Sequence, residues 1–377
     1  MTEHTTFSEE DRHWMSLALE IAERGAGYVS PNPMVGCVIV SSEGEKIGQG
    51  YHERYGQAHA EVNAVRSVKR ESDLEGATLY VTMEPCAHHG QTPPCCEMLG
   101  ELPIGRVVVA MQDPTPEVDG KGIRYLRSEG IEVDVGLMEE QAERLNEFFL
   151  HFHRYNRPFV TLKIAQSLDG YIAAPDGDSR WITGEESRKL VHRWRSRYDA
   201  VMVGRNTALI DNPRLTVRHV KGRQPQRVVI DGDLSLPREL NLFTDQYEEK
   251  TVVVTHNREQ FENSADPMLS MFESDYFRGD TVLVSEKEGH SDLDETLKAL
   301  AERNIISVLV ESGQNLASAL LKHDLVDKLE IFIAPKLIGG GTRSVMGLGI
   351  ERMSEILEFR ESSWKLVGDD MLFTGYF

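Results

Sequence analysis

The sequence is poor in cysteine. Four thiols, Cys37, Cys86, Cys95 and Cys96, in 377 residues exclude a disulfide scaffold. No apolar run approaches the roughly eighteen residues of a membrane span. The first residues, MTEHTTFSEEDRHW, lack the basic start and apolar stretch of a secretory leader, so the expectation is a soluble cytoplasmic protein. Positive charge is also scarce: 41 Lys and Arg stand against 61 Asp and Glu, a formal charge of −20. Non-specific wrapping of nucleic acid needs clustered cations to displace counterions, so that class is disfavoured. Small phosphorylated molecules stay open, because a local pocket of amides and one or two cations suffices for them. No internal repeat or low-complexity tract is present.

The length fits two domains at roughly 150 residues each. Strand and helix signals alternate throughout, which implies layered α/β sheets. Ser8 and Asp11 form a capping box ahead of Trp14, Leu17, Ala18 and Ile21 at helical spacing. Residues 35–40 and 46–51 read as a hairpin, 58–69 as a helix, and 77–83, 106–111 and 131–135 as strands. One helix is predicted over 138–153. The polar segment 154–158 ends in proline and is the best boundary. Beyond it, strands are predicted near 159–165, 199–203, 227–231, 251–255, 281–284, 306–310 and 329–334. The polar stretch 257–280 reads as a peripheral insertion.

Three of the four cysteines fall within eleven residues, so a metal is the first possibility to test. His59-Ala60-Glu61 opens a predicted helix. Pro85-Cys86 follows a predicted strand, and Pro94-Cys95 comes after it. One His and two Cys give the three protein ligands of a catalytic zinc, with the fourth position open. Zinc lowers the pKa of bound water, as hydrolytic removal of an aromatic amine requires. Glu61, two residues from the His, can carry protons without binding the metal, the zinc-deaminase pattern. A structural zinc would need a fourth ligand, which Cys96 or His88 could supply, but it leaves Glu61 idle. Otherwise Cys96 reads as a buried helix residue and Cys37 as a core strand residue. Nucleic-acid and nucleoside deaminases usually separate the two cysteines by two residues. Here eight intervene, and this His- and Thr-bearing loop has room for a substrate larger than a nucleobase.

The second half carries no G-x-G-x-x-G fingerprint. Three junctions nevertheless place glycine, amides and hydroxyls after a strand: Val203–Thr207, Val310–Asn315 and Gly339–Thr342.

At these residues the chain resembles the bifunctional riboflavin-biosynthesis deaminase–reductases. HAE, PCAHHGQTPPC and PNPMVGCVIV carry the resemblance in the first half. TLKIAQSLDGYIA, SRWITG, VGRNTALIDNPRLTVR and VESGQNL carry it in the second. It covers about residues 11–350, although no motif aligns within 257–300. It implies a cytidine-deaminase-like α/β/α layered domain at 1–153 and a dihydrofolate-reductase-like α/β domain at 154–377, which explains the missing fingerprint. It implies zinc on His59, Cys86 and Cys95, Glu61 as proton carrier, and Asn32 at the pyrimidine pocket. Read from the residues alone, Asn32 is equally a turn residue between two prolines.

For the second domain the resemblance implies NADPH along the carboxyl edge of the sheet, lined by Ala165, Trp181, Thr207, Asp211 and Gly313. Ser179, Arg195, Leu215, Arg218 and Glu311 would contact substrate. Lys163 is a candidate for polarising the reacting ribose end. Arg195 and Arg218 suit a ribose phosphate, since guanidinium pairs with phosphate bidentately; the charged run around Arg195 reads equally as a solvated helix face. Arg205 and Arg258 are offered for the NADP 2′-phosphate without a supporting motif. The implied chemistry is deamination of a diamino-ribosylaminopyrimidinone phosphate, then reduction of its ribosyl group. The implied partners are small phosphorylated pyrimidines and a second copy of the chain, with no nucleic acid or membrane. A nucleic-acid deaminase and a zinc-stapled binding module are the rival readings.

Overall fold

The computed structural model describes residues 6–88, 93–116, 118–264 and 278–377. No helix among them is long and apolar enough to cross a membrane. The chain divides into two compact units, Met1–Tyr155 and Asn156–Phe377.

In the first unit, helix α1 (Glu9–Ala22) starts at the expected capping box. The Ser8 hydroxyl accepts the Asp11 N–H, and the Asp11 carboxylate accepts the Ser8 N–H. Five strands follow: β1 (Gly36–Val40), β2 (Lys46–Tyr51), β3 (Ala77–Val81), β4 (Ile104–Val109) and β5 (Glu132–Val135). Their order is β2-β1-β3-β4-β5, with β1 antiparallel to both neighbours and β3, β4 and β5 parallel. Every residue of β1, GCVIV, is buried, as a strand covered on both faces requires. Helix α2 (Ala60–Ser67) presses on β2 at Gly50, where a Cβ would stand 2.3 Å from the Ala64 nitrogen. That approach sets His59, the residue capping α2, against the sheet. Helices α3 (Cys95–Gly100) and α4 (Lys121–Ser128) complete the layer.

The single helix expected over 138–153 is two helices, α5 (Glu139–Leu145) and α6 (Glu147–Tyr155), meeting at Asn146. Asn146 is buried. Its Oδ1 accepts the Met34 N–H at 2.8 Å, and its Nδ2 donates to the Met34 carbonyl at 3.0 Å. A side chain thus satisfies both backbone groups of Met34 inside PNPMVG, a long-range pairing that periodicity cannot reveal.

The second unit contains β6 (Phe159–Ser167), β7 (Tyr171–Ala173), β8 (Ala200–Gly204), β9 (Gln226–Ile230), β10 (Thr251–Thr255) and β11 (Asp280–Leu283). It continues with β12 (Glu286–Lys287), β13 (His290–Ser291), β14 (Ser307–Val310), β15 (Lys328–Ala334), β16 (Thr342–Arg343), β17 (Glu361–Val367) and β18 (Asp370–Tyr376). Nine form one sheet in the order β11-β10-β9-β8-β14-β6-β15-β18-β17. From β11 to β15 all neighbours are parallel, and the C-terminal pair β18 and β17 adds antiparallel strands. That pair was not anticipated, since the expected strands end at residue 334. The stretch 257–280 is regular where it is described. It carries the helix Arg258–Ser264 and leads into β11, the edge strand, with 265–277 outside the described residues.

Helix α7 (Glu185–Arg197) and helix α8 (Arg205–Asp211) follow β7 and β8. The chain runs outward from β8 to β11 and then returns to place β14 between β8 and β6. The order in which strands are added thus reverses beside β14, and such a switch point opens a crevice at the carboxyl ends of the strands.

Candidate active sites

His59, Cys86 and Cys95 converge in the first unit. His59 sits at the start of α2, Cys86 on the loop after β3, and Cys95 at the first residue of α3. His59 Nδ1 lies 3.5 Å from Cys86 Sγ and 3.4 Å from Cys95 Sγ. Tetrahedral zinc with ordinary Zn–S and Zn–N bond lengths holds N and S about 3.5 Å apart. The ligand atoms therefore already stand at the spacing of one ion, and all lie within 4.8 Å of one another. They form the one group of three or more metal-ligating side chains among the described residues.

Neither proposed fourth ligand joins them. Cys96 is buried in the core cluster around Leu99, as its helix position predicted, and Cys37 is buried within β1. His88 is not part of the cluster. Of the long intervening loop, 89–92 lie outside the described residues.

Electrostatics favour a thiolate at Cys86. Hydrogen bonds from Cys95 and His59 outweigh burial and hold its thiol down at about 4, while the hydrogen bond to Cys86, then burial, pushes Cys95 up. The same Cys86 contact raises the His59 imidazole. Glu61 is buried on the first turn of α2, and burial together with the Cys86 charge lifts its carboxyl to about 7. A carboxyl poised there both takes and gives protons near neutrality.

Asn32 is held rather than loose. The His52 Nδ1 is 3.2 Å from the Ala58 carbonyl, and its Nε2 is 3.3 Å from Asn32 Nδ2. A carbonyl only accepts, so Nδ1 carries the proton and Nε2 accepts the Asn32 amide. Asn32 Oδ1 has no side-chain partner among the described residues, and the His52 ring lies 5.4 Å from that of His59. His52 carries no motif, and neither does Glu84. The buried Glu84 carboxylate accepts the N–H groups of Asp113, Gly120, Gly122 and Ile123 at 3.3, 2.9, 2.9 and 3.2 Å. It ties the loop carrying Cys86 to the start of α4, where a Cβ on Gly122 would stand 2.1 Å from the Pro85 carbonyl.

In the second unit a cavity of 1310 Å³ opens at the carboxyl ends of β6, β8, β9 and β14. Lys163, Ala165, Ser179, Trp181, Arg195, Thr207, Asp211, Leu215, Arg218, Glu311 and Gly313 all line it. Its size exceeds the ordinary small-ligand pocket of roughly 300–1,000 Å³, as a dinucleotide beside a second ligand requires. At its centre Glu311 receives the Arg195 fork at 2.5 and 2.9 Å and stands 3.7 Å from Lys163 Nζ. Burial raises the Glu311 carboxyl, but Arg195 and Lys163 outweigh it and hold it down at about 2. Burial lowers the Lys163 ammonium, and Glu311 opposes that shift.

Arg195 is not on a solvated face. Its fork is committed to Glu311 and its Nη1 to the Thr216 carbonyl at 3.1 Å, so the bidentate grip expected on a phosphate is already occupied. The Thr207 hydroxyl accepts the Gly313 N–H at 3.1 Å, joining the Val203–Thr207 and Val310–Asn315 junctions. At the third junction the Ile338 and Gly339 N–H groups bond Asp169, and Thr342 alone of Gly339–Thr342 lines the cavity. Trp181 is exposed, with the Arg188 guanidinium 4.7 Å from its ring centre. Arg205 reaches the cavity but bonds Ser235 at 2.8 Å, and Arg258 does not line it.

Comparison with known proteins agrees with both halves. Residues 8–111 match the family described as cytidine and deoxycytidylate deaminase zinc-binding region, and residues 158–373 match the RibD C-terminal domain. The riboflavin biosynthesis protein RibD of Aquifex aeolicus is 42 % identical over 365 residues, covering 97 % of this chain and 98 % of that protein. The solved structure of Acinetobacter baumannii RibD superposes with a TM-score of 0.85 at 35 % identity, covering 98 % of this chain and 99 % of that one. A Thermotoga maritima structure described as a diaminohydroxyphosphoribosylaminopyrimidine deaminase/5-amino-6-(5-phosphoribosylamino)uracil reductase gives 0.84 at 36 %, covering 97 % and 98 %. The donor set of the first unit, the fold of the second and these full-length likenesses agree: the chain belongs to the RibD family of bifunctional riboflavin-biosynthesis deaminases and reductases.

Proposed function

We propose that the first unit hydrolytically deaminates 2,5-diamino-6-(5-phosphoribosylamino)pyrimidin-4-one. The second unit then reduces the ribosyl group of 5-amino-6-(5-phosphoribosylamino)uracil to ribityl. The observation that carries the reading is the His59–Cys86–Cys95 triangle, spaced for one ion, with a buried carboxyl at Glu61 beside it.

In the first unit His59 Nδ1 and the Cys86 and Cys95 thiolates would hold the zinc. Bound there, it supplies a water acidified toward neutrality. Glu61 carries two protons in turn on a carboxylate oxygen: the first passes from that water to the ring nitrogen as water adds, and the second passes from the hydroxyl now on the ring carbon to the departing amine. Water adds, ammonia leaves, and the carboxylate returns to its starting state. Asn32 Oδ1, aimed by His52, accepts a pyrimidine N–H.

In the second unit Ala165, Trp181, Thr207, Asp211 and Gly313 line the place of NADPH. Bound there, it supplies two electrons and one hydrogen to the first carbon of the sugar. Lys163 Nζ donates toward the sugar oxygen freed as the ring opens. Glu311 keeps that ammonium charged and aimed, and Arg195 keeps Glu311 ionised. Ser179 and Leu215 line the substrate side, and Arg218 faces the phosphate. The work is chiefly positioning of the sugar carbon against the nicotinamide.

Zinc removal tests the division of labour. Dialysis against a chelator is expected to abolish ammonia release while NADPH oxidation on the deaminated uracil stays within about twofold. Restoring one zinc per chain should restore ammonia release. Loss of both activities together would mean that the metal serves the whole fold rather than one reaction.

A further inference from the structure

Arg195 is bound to Glu311, so the phosphate of the reductase substrate needs other donors. The contacts around Glu311 indicate where they stand. Arg195 Nη1 bonds the Thr216 carbonyl, the Thr216 hydroxyl accepts Arg218 Nη1 at 2.9 Å, and the Arg218 backbone N–H bonds His192 Nδ1 at 3.1 Å. A continuous run of contacts thus leads from Lys163, at the reacting sugar carbon, to His192.

His192 lies on α7, three residues before Arg195 and on the same face. It is 5 % exposed and lines the cavity, and its ring packs edge-on against His219 at 4.5 Å. Its tautomer is fixed by its neighbour. Nδ1 accepts the Arg218 N–H, so the proton of the neutral ring is on Nε2. That Nε2 has no protein partner among the described residues. Neither have Arg218 Nε and Nη2. Burial, then Arg195 and Arg218, hold the imidazole down at about 3, so it stays a neutral donor at physiological pH. The guanidinium groups of Arg195 and Arg218 stand around it, with Glu311 the one acidic group acting on it among the described residues. A donor on the cavity wall with no protein partner among the described residues, inside a cationic corner of a −20 chain, is suited to an anion.

We propose that His192 is a substrate-binding residue that donates its Nε2–H to the phosphate of the ribosylaminouracil, beside the open N–H groups of Arg218. The inference rests on the reading of this cavity as the reductase site.

Two substitutions separate the ring nitrogens. Asparagine at 192 keeps an acceptor where Nδ1 stands and loses the distal donor; glutamine keeps a distal donor and loses the acceptor. H192N is expected to raise KM for the phosphorylated uracil about tenfold, with kcat within threefold. H192Q is expected to recover most of that loss. On the same compound stripped of its phosphate, wild type and H192N should have equal KM. Unchanged NADPH affinity, read by quenching of tryptophan fluorescence, checks that the unit is folded. The inference is overturned if H192N leaves KM unchanged, or raises it equally with and without the phosphate. Wild-type protein that never oxidises NADPH on this compound would instead overturn the reading of the cavity itself.

Discussion

Replacing Glu61 by Gln should lower ammonia release at least about 100-fold, the ordinary worth of a general acid–base group. The side chain is 3 % exposed, so its replacement must match its shape, and Gln does. The amide cannot take a proton from water or return one to nitrogen. The three ligand atoms, His59 Nδ1 and the Cys86 and Cys95 sulfurs, are retained, and Gln can still meet the Cys95 thiol that Glu61 contacts. Zinc content should therefore remain one per chain, and NADPH oxidation on the deaminated uracil should stay within twofold. Ammonia release within threefold of wild type would remove Glu61 from the mechanism. Zinc loss in the variant would mean that the carboxylate serves the site's structure instead.

The second large effect is expected at Lys163. Lys163→Ala should cut NADPH oxidation by about 100- to 1,000-fold, the usual cost of removing one charge-stabilising donor from a water-poor site. Glu311 keeps two bonds from Arg195, at 2.5 and 2.9 Å, so the neighbouring carboxylate is not stranded. NADPH affinity should hardly change, and ammonia release should match wild type. A variant with kcat within threefold of wild type and only KM raised would make Lys163 a binding group rather than the group that polarises the sugar.

Much of this protein was legible in its sequence. Continuous apolar runs such as GCVIV and SVLV announce strands covered on both faces, and both are wholly buried. The ligand set was legible because zinc chemistry demands few residue types in a fixed count. His59, Cys86 and Cys95 could be named before any coordinate brought them together.

What escaped was long-range and polar. Asn146 divides a helix by serving Met34, Glu84 gathers four amides from beyond α3, and His52 aims Asn32. None of the three leaves a spacing in the sequence, because each depends on partners brought close by the fold. Arg195 shows the complementary case. Guanidinium chemistry suggested a phosphate grip, and the structure assigns that fork to Glu311.

The charge also takes a clearer meaning. A total of −20 coexists with a cavity whose corner gathers Arg195, Arg218, His192 and His219. The excess acid is a property of the surface and of solubility. Anion recognition is local.

The central claim is that one chain carries two reactions in a fixed order, and it is most directly tested by stoichiometry. Purified protein holding one zinc per chain is given the diamino-ribosylaminopyrimidinone phosphate and NADPH, and ammonia and NADP are measured together. The account predicts one NADP per ammonia at completion, with NADPH oxidation lagging behind ammonia release, and no oxidation at all in His59→Ala on this substrate. NADPH oxidation that precedes ammonia release, or that persists in His59→Ala, would contradict it.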